Sequence, residues 1–231
     1  INKRGLASSL TTNGTLLSEK MIKDLIAAGL KHIIVSLDSS FPEIHDEIRG
    51  VRGTFENVVQ SIKDIKTISD NMKISINTLI TKKNFKYLTD IAKLSSELKT
   101  DAIKFIPVQK TFPQNFYSSQ NKDIFFNTPD EVDNLENELN KTIDFLSRTK
   151  IETFSYEFLR AIPNFYKNKK IKFRCLAGYI LCELDSSGNV YPCHASGEIV
   201  GNIRENKFSM IWNSERFNYK RKRMINCHNC W

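Results

Sequence analysis

His32-Ile33-Ile34-Val35-Ser36-Leu37 is a short β-branched run that reads as a strand, and what stands on either side of it decides the fold. Upstream, Ser18 can cap a helix carrying Met21, Ile22, Leu25 and Ile26 on one face, and Gly29 ends it. Downstream, Thr54 can cap a second helix with Phe55, Val58, Val59, Ile62 and Ile65 at helical spacing, and Asn84 precedes a third bearing Leu88, Ile91, Leu94 and Leu98. Three more β-rich runs, Leu6 to Thr11, Lys73 to Ile80 and Ala102 to Ile106, alternate with these helices. Such alternation predicts βα units around a parallel sheet, an α/β fold in which the apolar stripes are core and not cofactor boxes.

Past the fourth strand the pattern changes. Val108 to Asn127 is rich in Gln, Ser, Asn and Phe and reads as a long irregular loop. Thr128-Pro129-Asp130-Glu131 is a capping box with proline at the first helical position, opening a long helix with Val132, Leu135, Leu139, Ile143 and Leu146 inward. A shorter helix around Ser155 to Tyr166 leads through the basic linker Lys167-Asn168-Lys169-Lys170-Ile171-Lys172 to a cysteine-rich end. The expected partition is a large domain over residues 1–170 and a small one over 171–231. Neither a G-x-G-x-x-G nor a P-loop occurs.

The cysteine-rich end carries its own geometry. Tyr179 to Leu184 reads as a strand, Asp185-Ser186-Ser187-Gly188 as a turn and Asn189 to Cys193 as the return, a hairpin with Cys175 and Cys193 at its open end. Cys227-His228-Asn229-Cys230 is a C-x-x-C, whose thiolates grip one metal or two irons of a cluster. Together the four supply what a [4Fe-4S] cluster requires. A four-thiolate zinc site is the alternative, although such sites more often use two C-x-x-C knuckles. Disulfides are disfavoured because there is no hydrophobic leader and too few cysteines for a scaffold of this size. Cys182 lies inside the strand, where a free cysteine packs as a small hydrophobe. His194 and His228 adjoin ligands and are expected to support them rather than to ligate.

Composition excludes several classes. The 231 residues are 40% hydrophobic and 26% charged, ordinary for a soluble globular protein. No apolar run approaches the ~20 residues of a membrane span. The net charge of +8 is scattered, with denser runs at Lys167 to Lys172 and Lys220-Arg221-Lys222-Arg223, so solvated surface beside an anionic centre is expected and nucleic-acid binding is not. The chain opens with Ile1, which predicts a fragment or a processed product.

Ser36-Leu37-Asp38, followed by His45-Asp46-Glu47-Ile48-Arg49-Gly50 and Gly53-Thr54-Phe55-Glu56, resembles the radical S-adenosylmethionine (radical SAM) enzymes. Thr12-Asn13-Gly14 ahead of it is similar to a third strand end of that family's barrel. Cys175, Gly188, Cys193, Gly201-Asn202-Ile203, Ile211-Trp212 and Cys227-x-x-Cys230 resemble the family's SPASM and twitch extensions. The resemblance covers nearly the whole chain and implies a partial TIM-like (βα) barrel, strands three to six, followed by a small α+β domain built on a β-hairpin. The family's C-x-x-x-C-x-x-C loop and G-G-E motif have no counterpart, since no cysteine precedes Cys175. The implication is a sequence that starts inside the enzyme, so that this chain alone does not cleave S-adenosylmethionine.

By the same resemblance, the parent enzyme is an oxidoreductase or modifying enzyme that generates a 5′-deoxyadenosyl radical on S-adenosylmethionine with a second [4Fe-4S] cluster, fed by a reductant such as flavodoxin or ferredoxin. Ser36, Asp38, Arg49, Asn13 and Asn77 would then meet S-adenosylmethionine at the strand ends, where βα barrels place functional groups. For Asp38 the plainer reading is a turn acid, and for Arg49 a salt bridge to Asp46 or Glu47. His45 is expected at a helix start or on the surface. Cys175, Cys193, Cys227 and Cys230 would hold the auxiliary [4Fe-4S] cluster in a one-cluster, twitch-type arrangement. The substrate is a peptide or a small metabolite, with the positive charge favouring an acidic peptide. A reducing cytoplasm is implied. The alternative is a non-catalytic iron-sulfur or zinc binding module on a degenerate barrel.

Overall fold

The computed structural model describes residues 5–108, 124–126, 128–168, 173–193 and 195–228. It divides into two compact units, one made of residues up to Val108 and those up to Pro163, the other beginning at Asn164.

In the first unit, strands β1 (Ser9–Thr12), β2 (His32–Ser36), β3 (Lys73–Ile80) and β4 (Ala102–Pro107) form one parallel sheet in sequential order. Helices α1 (Glu19–Ala27), α2 (Pro42–Arg49), α3 (Thr54–Ile68) and α4 (Leu88–Glu97, entered through a 3-10 turn at Phe85–Tyr87) connect them, and α5 (Pro129–Ser147) follows. Side chains alternate across the pleat. Ile33, Val35, Ile74, Ile76, Ile103 and Phe105 are fully buried, while the intervening His32, Ile34, Ser36, Asn77 and Lys104 are only partly covered. The helical stripes complete the core with Ile22, Val58, Ile62, Ile65, Leu88 and Ile91, each contributing about 1.5–3 kcal/mol by burial. Gly14 marks the closest approach of helix and sheet: a Cβ there would meet Val35 and Val58 at 3.1 Å, on a backbone with φ of +78°.

The α/β class and all four strands are as the sequence predicts, with the first beginning at Ser9 rather than Leu6. Ser18 caps α1 through the Met21 N–H (3.2 Å), and Thr128 with Glu131 forms the capping box of α5. One predicted cap is replaced. Thr54 is the first residue of α3, and the cap is Asp46, which reaches across from α2 to accept the Phe55 N–H (2.9 Å), the Thr54 hydroxyl (2.7 Å) and the Gly53 N–H. Asn84 precedes the 3-10 turn into α4, as expected, and its side chain binds the chain behind it, accepting the Thr81 N–H and donating to the Asp38 and Leu79 carbonyls. Of the predicted loop over Val108 to Asn127, residues 109–123 and 127 lie outside the described residues.

Helix α6 (Tyr156–Asn168) runs from the first unit into the second. There, β5 (Glu183–Leu184), β6 (Asn189–Tyr191) and β7 (Gly201–Asn202) form an antiparallel sheet, followed by α7 (Phe208–Trp212) and α8 (Glu215–Met224). Val190, Val200, Ile211 and Phe217 are its core, with Cys182 and Trp212 packed against them. The predicted strand over Tyr179 to Leu184 shortens to Glu183–Leu184, because residues 176–181 coil into a turn closed by the Tyr179 and Ile180 N–H groups on the Leu176 carbonyl and by Gly178 at φ +78°. The hairpin turn stands where expected. Gly188 adopts φ +86°, and the Asp185 carboxylate accepts the Ser187 and Asn189 N–H groups at 2.9 Å each.

Candidate functional site

At the C-terminal end of the parallel sheet, Asp38 ties three elements together. It stands two residues past the end of β2 and is fully buried, with Oδ1 accepting the Leu79 N–H at 2.9 Å and Oδ2 lying 2.6 Å from Arg49 Nη2. That second contact is an ion pair without an aligned hydrogen bond, so Oδ2 has no well-directed donor. The Asp38 N–H donates to His45 Nδ1 at 3.1 Å, and its carbonyl accepts Asn84 Nδ2 at 2.6 Å. Burial raises the Asp38 carboxyl above the usual range, against the opposing pull of Arg49. His45 and Arg49, one turn apart on α2, both face this carboxylate's backbone or side chain.

His45 was the residue whose reading changes most. It is 1% exposed rather than at the surface, stands edge-on to Phe55, and burial pushes it down to about 4. It is a neutral acceptor. Arg49 pairs with neither of the partners the sequence offered: Asp46 caps α3, and Glu47 pairs with Lys83.

The other predicted sheet-end residues form a row. Ser36 is opposite Asn77 and Asn77 is opposite Lys104 in the parallel register, while Asn13 follows Thr12, the partner of Val35, and so falls level with Ser36. Asn77 Oδ1 is buried with no hydrogen-bond partner, an orphaned acceptor of the sort a bound ligand satisfies. Asn13 is exposed, its Oδ1 taken by the Thr15 N–H and hydroxyl. Lys104 was missed by motif reading. Its signal was a single charge within the apolar run Ala102-Ile103-Lys104-Phe105-Ile106, and its ammonium lies 5.5 Å from the centre of the Phe154 ring.

The second site is in the cysteine-bearing unit. Cys175, Cys193 and Cys227 are free and half-buried, and Cys230 lies outside the described residues, as does His194. Burial pushes the Cys193 thiol up, and charge on Cys175 or Cys227 pushes it the same way. The Ala195 N–H donates to Cys193 Sγ at 3.4 Å, and the Ser196 amide also favours the thiolate. Among the described residues no three His, Cys, Asp or Glu side chains converge closely enough to hold one metal ion. The donor set itself, soft thiols with amides aimed at the sulfur of Cys193, fits an iron-sulfur cluster, which is larger than an ion and takes its thiolates at separate corners. Cys182 is apart from this set: it packs on the Val190 core, and burial raises its thiol against the pull of Arg221.

Comparison with known proteins matches both ends of the chain to family models. Residues 1–95 match the model of the Radical SAM superfamily and residues 175–231 that of the SPASM iron-sulfur cluster-binding domain. The AdoMet-dependent heme synthase of Methanosarcina barkeri is 29% identical over 92% of this chain and 62% of its own length. The PqqA peptide cyclase of Rhizobium meliloti is 28% identical over 93% of this chain and 55% of its own. Among solved structures, native anSMEcpe with bound AdoMet superimposes with a TM-score of 0.71 at 20% identity, covering 98% of this chain and 62% of that one. SuiB of Streptococcus suis does so with a TM-score of 0.69 at 17% identity, over 95% and 52%. The chain thus spans between about half and two thirds of the length of the proteins it matches.

Proposed function

Because this chain belongs to the radical SAM superfamily and carries a SPASM iron-sulfur domain, we propose that it serves an enzyme that generates a 5′-deoxyadenosyl radical and uses an auxiliary [4Fe-4S] cluster on a peptide substrate. The observation that carries the reading is the match of residues 175–231 to the iron-sulfur cluster-binding domain, in which Cys175 and Cys193 flank the β5–β6 hairpin and Cys227 and Cys230 share a C-x-x-C. When bound, the cluster supplies a one-electron acceptor for a substrate radical. Four thiolates leave no open iron, which favours electron transfer over direct substrate coordination, in a one-cluster, twitch-type arrangement.

In the first unit, taken with residues to 170, Ser36 and Asn77 are the groups proposed to meet S-adenosylmethionine, with Asn77 Oδ1 as an unpaired acceptor. Asp38 and Arg49 hold each other and fix the β2 end, so that Arg49 would bind a carboxylate only by sharing its guanidinium with Asp38. Asn13 completes the row at its exposed end. A peptide substrate is favoured by the net charge of +8, and peptides appear with two of the relatives, the PqqA peptide cyclase and SuiB bound to its precursor peptide SuiA. The setting is reducing, and the electron donor a flavodoxin or ferredoxin. No helix among the described residues is long and apolar enough to cross a membrane.

The test is anaerobic reconstitution of the chain with iron and sulfide, followed by iron, sulfide and zinc analysis and electron paramagnetic resonance. About four irons and four sulfides per chain, lost in Cys193→Ala, are expected. One tightly held zinc without sulfide would replace this reading with a zinc binding module.

A further inference from the structure

Arg221 has no place in the site described so far, yet it is the most unusual charge in the second unit. Its side chain is buried, the residue 8% exposed. The guanidinium rests over the adjoining Trp212 and Phe217 rings, with its carbon 4.3 and 4.2 Å from the two ring centres, which are themselves 5.0 Å apart. Nε donates to the Gly178 carbonyl and Nη1 to Asn218 Oδ1, while Nη2 is buried with no partner. Among the described residues no carboxylate reaches it at ion-pair distance. A buried cation without a counter-charge costs several kcal/mol, so a fold that keeps one needs something to balance it.

Its contacts lie on the segments that carry two of the ligands, and Cys182 is the cysteine whose charge it meets. Gly178 is three residues after Cys175, in the turn that closes on Leu176. Arg221 stands six residues before Cys227, whose N–H is bonded to the carbonyl of Met224 at the end of α8. The Nε bond therefore pins the loop leaving one ligand to the helix leading to another. The fit is close, since a Cβ on Gly178 would meet Arg221 Cγ at 3.1 Å. A four-thiolate cluster is anionic, more so once reduced, and its potential follows the charge and hydrogen bonding around it.

We infer that Arg221 is the positioning residue and built-in counter-cation of the auxiliary cluster, holding the Cys175 turn against α8 and raising the potential at which the cluster accepts an electron. The inference rests on the cluster reading above. The two adjoining rings fix the planar guanidinium where a flexible ammonium would wander.

The test is a redox titration of the reconstituted chain, followed by electron paramagnetic resonance, on wild type, Arg221→Gln, Arg221→Lys and Asn218→Asp. Arg221→Gln removes the charge and is expected to shift the midpoint to lower potential, with Arg221→Lys restoring part of the shift. Asn218→Asp changes an exposed helix position and keeps the fold and Arg221, but sets a carboxylate beside the guanidinium; it is expected to shift the potential downward as well. It keeps the inference testable should the Arg221 variants fail to fold. Intact clusters whose potential is the same in wild type and Asn218→Asp, or in wild type and Arg221→Gln, overturn the inference while leaving the cluster in place. A wild-type chain that takes up no four-iron cluster overturns both.

Discussion

Arg49 Nη2 lies 2.6 Å from Asp38 Oδ2 in a pair whose carboxylate is buried and whose guanidinium side chain is about one third exposed. Removing one partner of a wholly buried pair costs about 3–5 kcal/mol, because it strands the other charge. Here the arginine is partly in water, so Arg49→Ala is expected to cost less, about 2 kcal/mol. Asp38→Asn keeps an acceptor for the Leu79 N–H and is expected to cost less again, and the double variant less than the sum. A urea-denaturation cycle on the four proteins measures the coupling. Strict additivity would show that Asp38 is held by its backbone contacts alone.

The same carboxylate sits beside a titrating neighbour whose pH dependence has a definite sign. His45 is pushed down to about 4 by burial, whereas in the unfolded chain it titrates near ~6.5. Between those values the unfolded chain binds the extra proton, so stability rises with pH. The contribution of neutral His45 is complete above ~6.5 and is lost as pH falls toward 4, amounting to about 3 kcal/mol across the window. Asp38 runs the other way, since its raised carboxyl favours folding at low pH and loses that advantage as pH rises through its folded value. His45→Gln retains an acceptor for the Asp38 N–H but does not titrate. The difference between wild-type and variant stability curves is expected to slope between pH 4 and 6.5, and a flat difference would refute the assignment.

The sheet was legible because periodicity reports burial: Ile33 and Val35, or Ile74 and Ile76, are apolar where the pleat turns them inward. Local caps read equally well where donor and acceptor are three residues apart, as at Ser18 and Thr128. The misreadings of Thr54 as a cap and of His45 as a surface residue share one cause. Each has its partner outside its own element, Asp46 for Thr54 and Asp38 for His45, and no local pattern encodes that distance. The turn at residues 176–181 failed differently, because its apolar residues mimic a strand while Gly178 at positive φ bends it. Of the cysteines, spacing singled out the set of four, and Cys182, read from its strand-like surroundings as a small hydrophobe, does pack against Val190 and its neighbours.

Asp46 is a cap supplied in trans. Its carboxylate takes two backbone N–H groups and one hydroxyl at the start of α3, where three donors would otherwise face solvent or each other. Favourable hydrogen bonds hold its carboxyl below the ordinary range despite some burial, so its contribution is present above the unfolded value and lost as pH falls through the folded one. Asp46→Ala is expected to cost about 1–2 kcal/mol, and Asp46→Asn less, because the amide oxygen still accepts. Thermal unfolding at neutral pH ranks the variants. Equal loss in both would mean that charge, not the hydrogen bonds, anchors the helix.

Gly14 makes a sharper prediction than any cap. It combines φ of +78° with a Cβ position 3.1 Å from both Val35 and Val58, and Ser61 donates to its carbonyl at 2.9 Å. Gly14→Ala incurs about 1–2 kcal/mol for the backbone alone, and the contact with two buried side chains adds to it. Ser61→Ala removes only the hydrogen bond and is expected to be milder, about 1 kcal/mol. Chemical denaturation separates the two, and a Gly14→Ala chain as stable as wild type would mean that α3 shifts away from β2 without cost.

Five cysteines compete for four ligand positions, and packing sets one of them apart. Cys182 lies against the core of Val190, Val200, Ile211 and Phe217. Cys182→Ala is therefore expected to reconstitute with the wild-type iron and sulfide content and the same paramagnetic signal, at a stability cost of about 1 kcal/mol for the lost packing. Cys175→Ala, Cys193→Ala and Cys227→Ala are each expected to lose the cluster or to hold a three-iron remnant. The comparison guards against the trivial result in which any cysteine loss disturbs assembly. If Cys182→Ala empties the site while one of the other three variants keeps it full, the ligand set must be redrawn with Cys182 inside, and the hairpin would have to present its first strand, not its open end, to the iron.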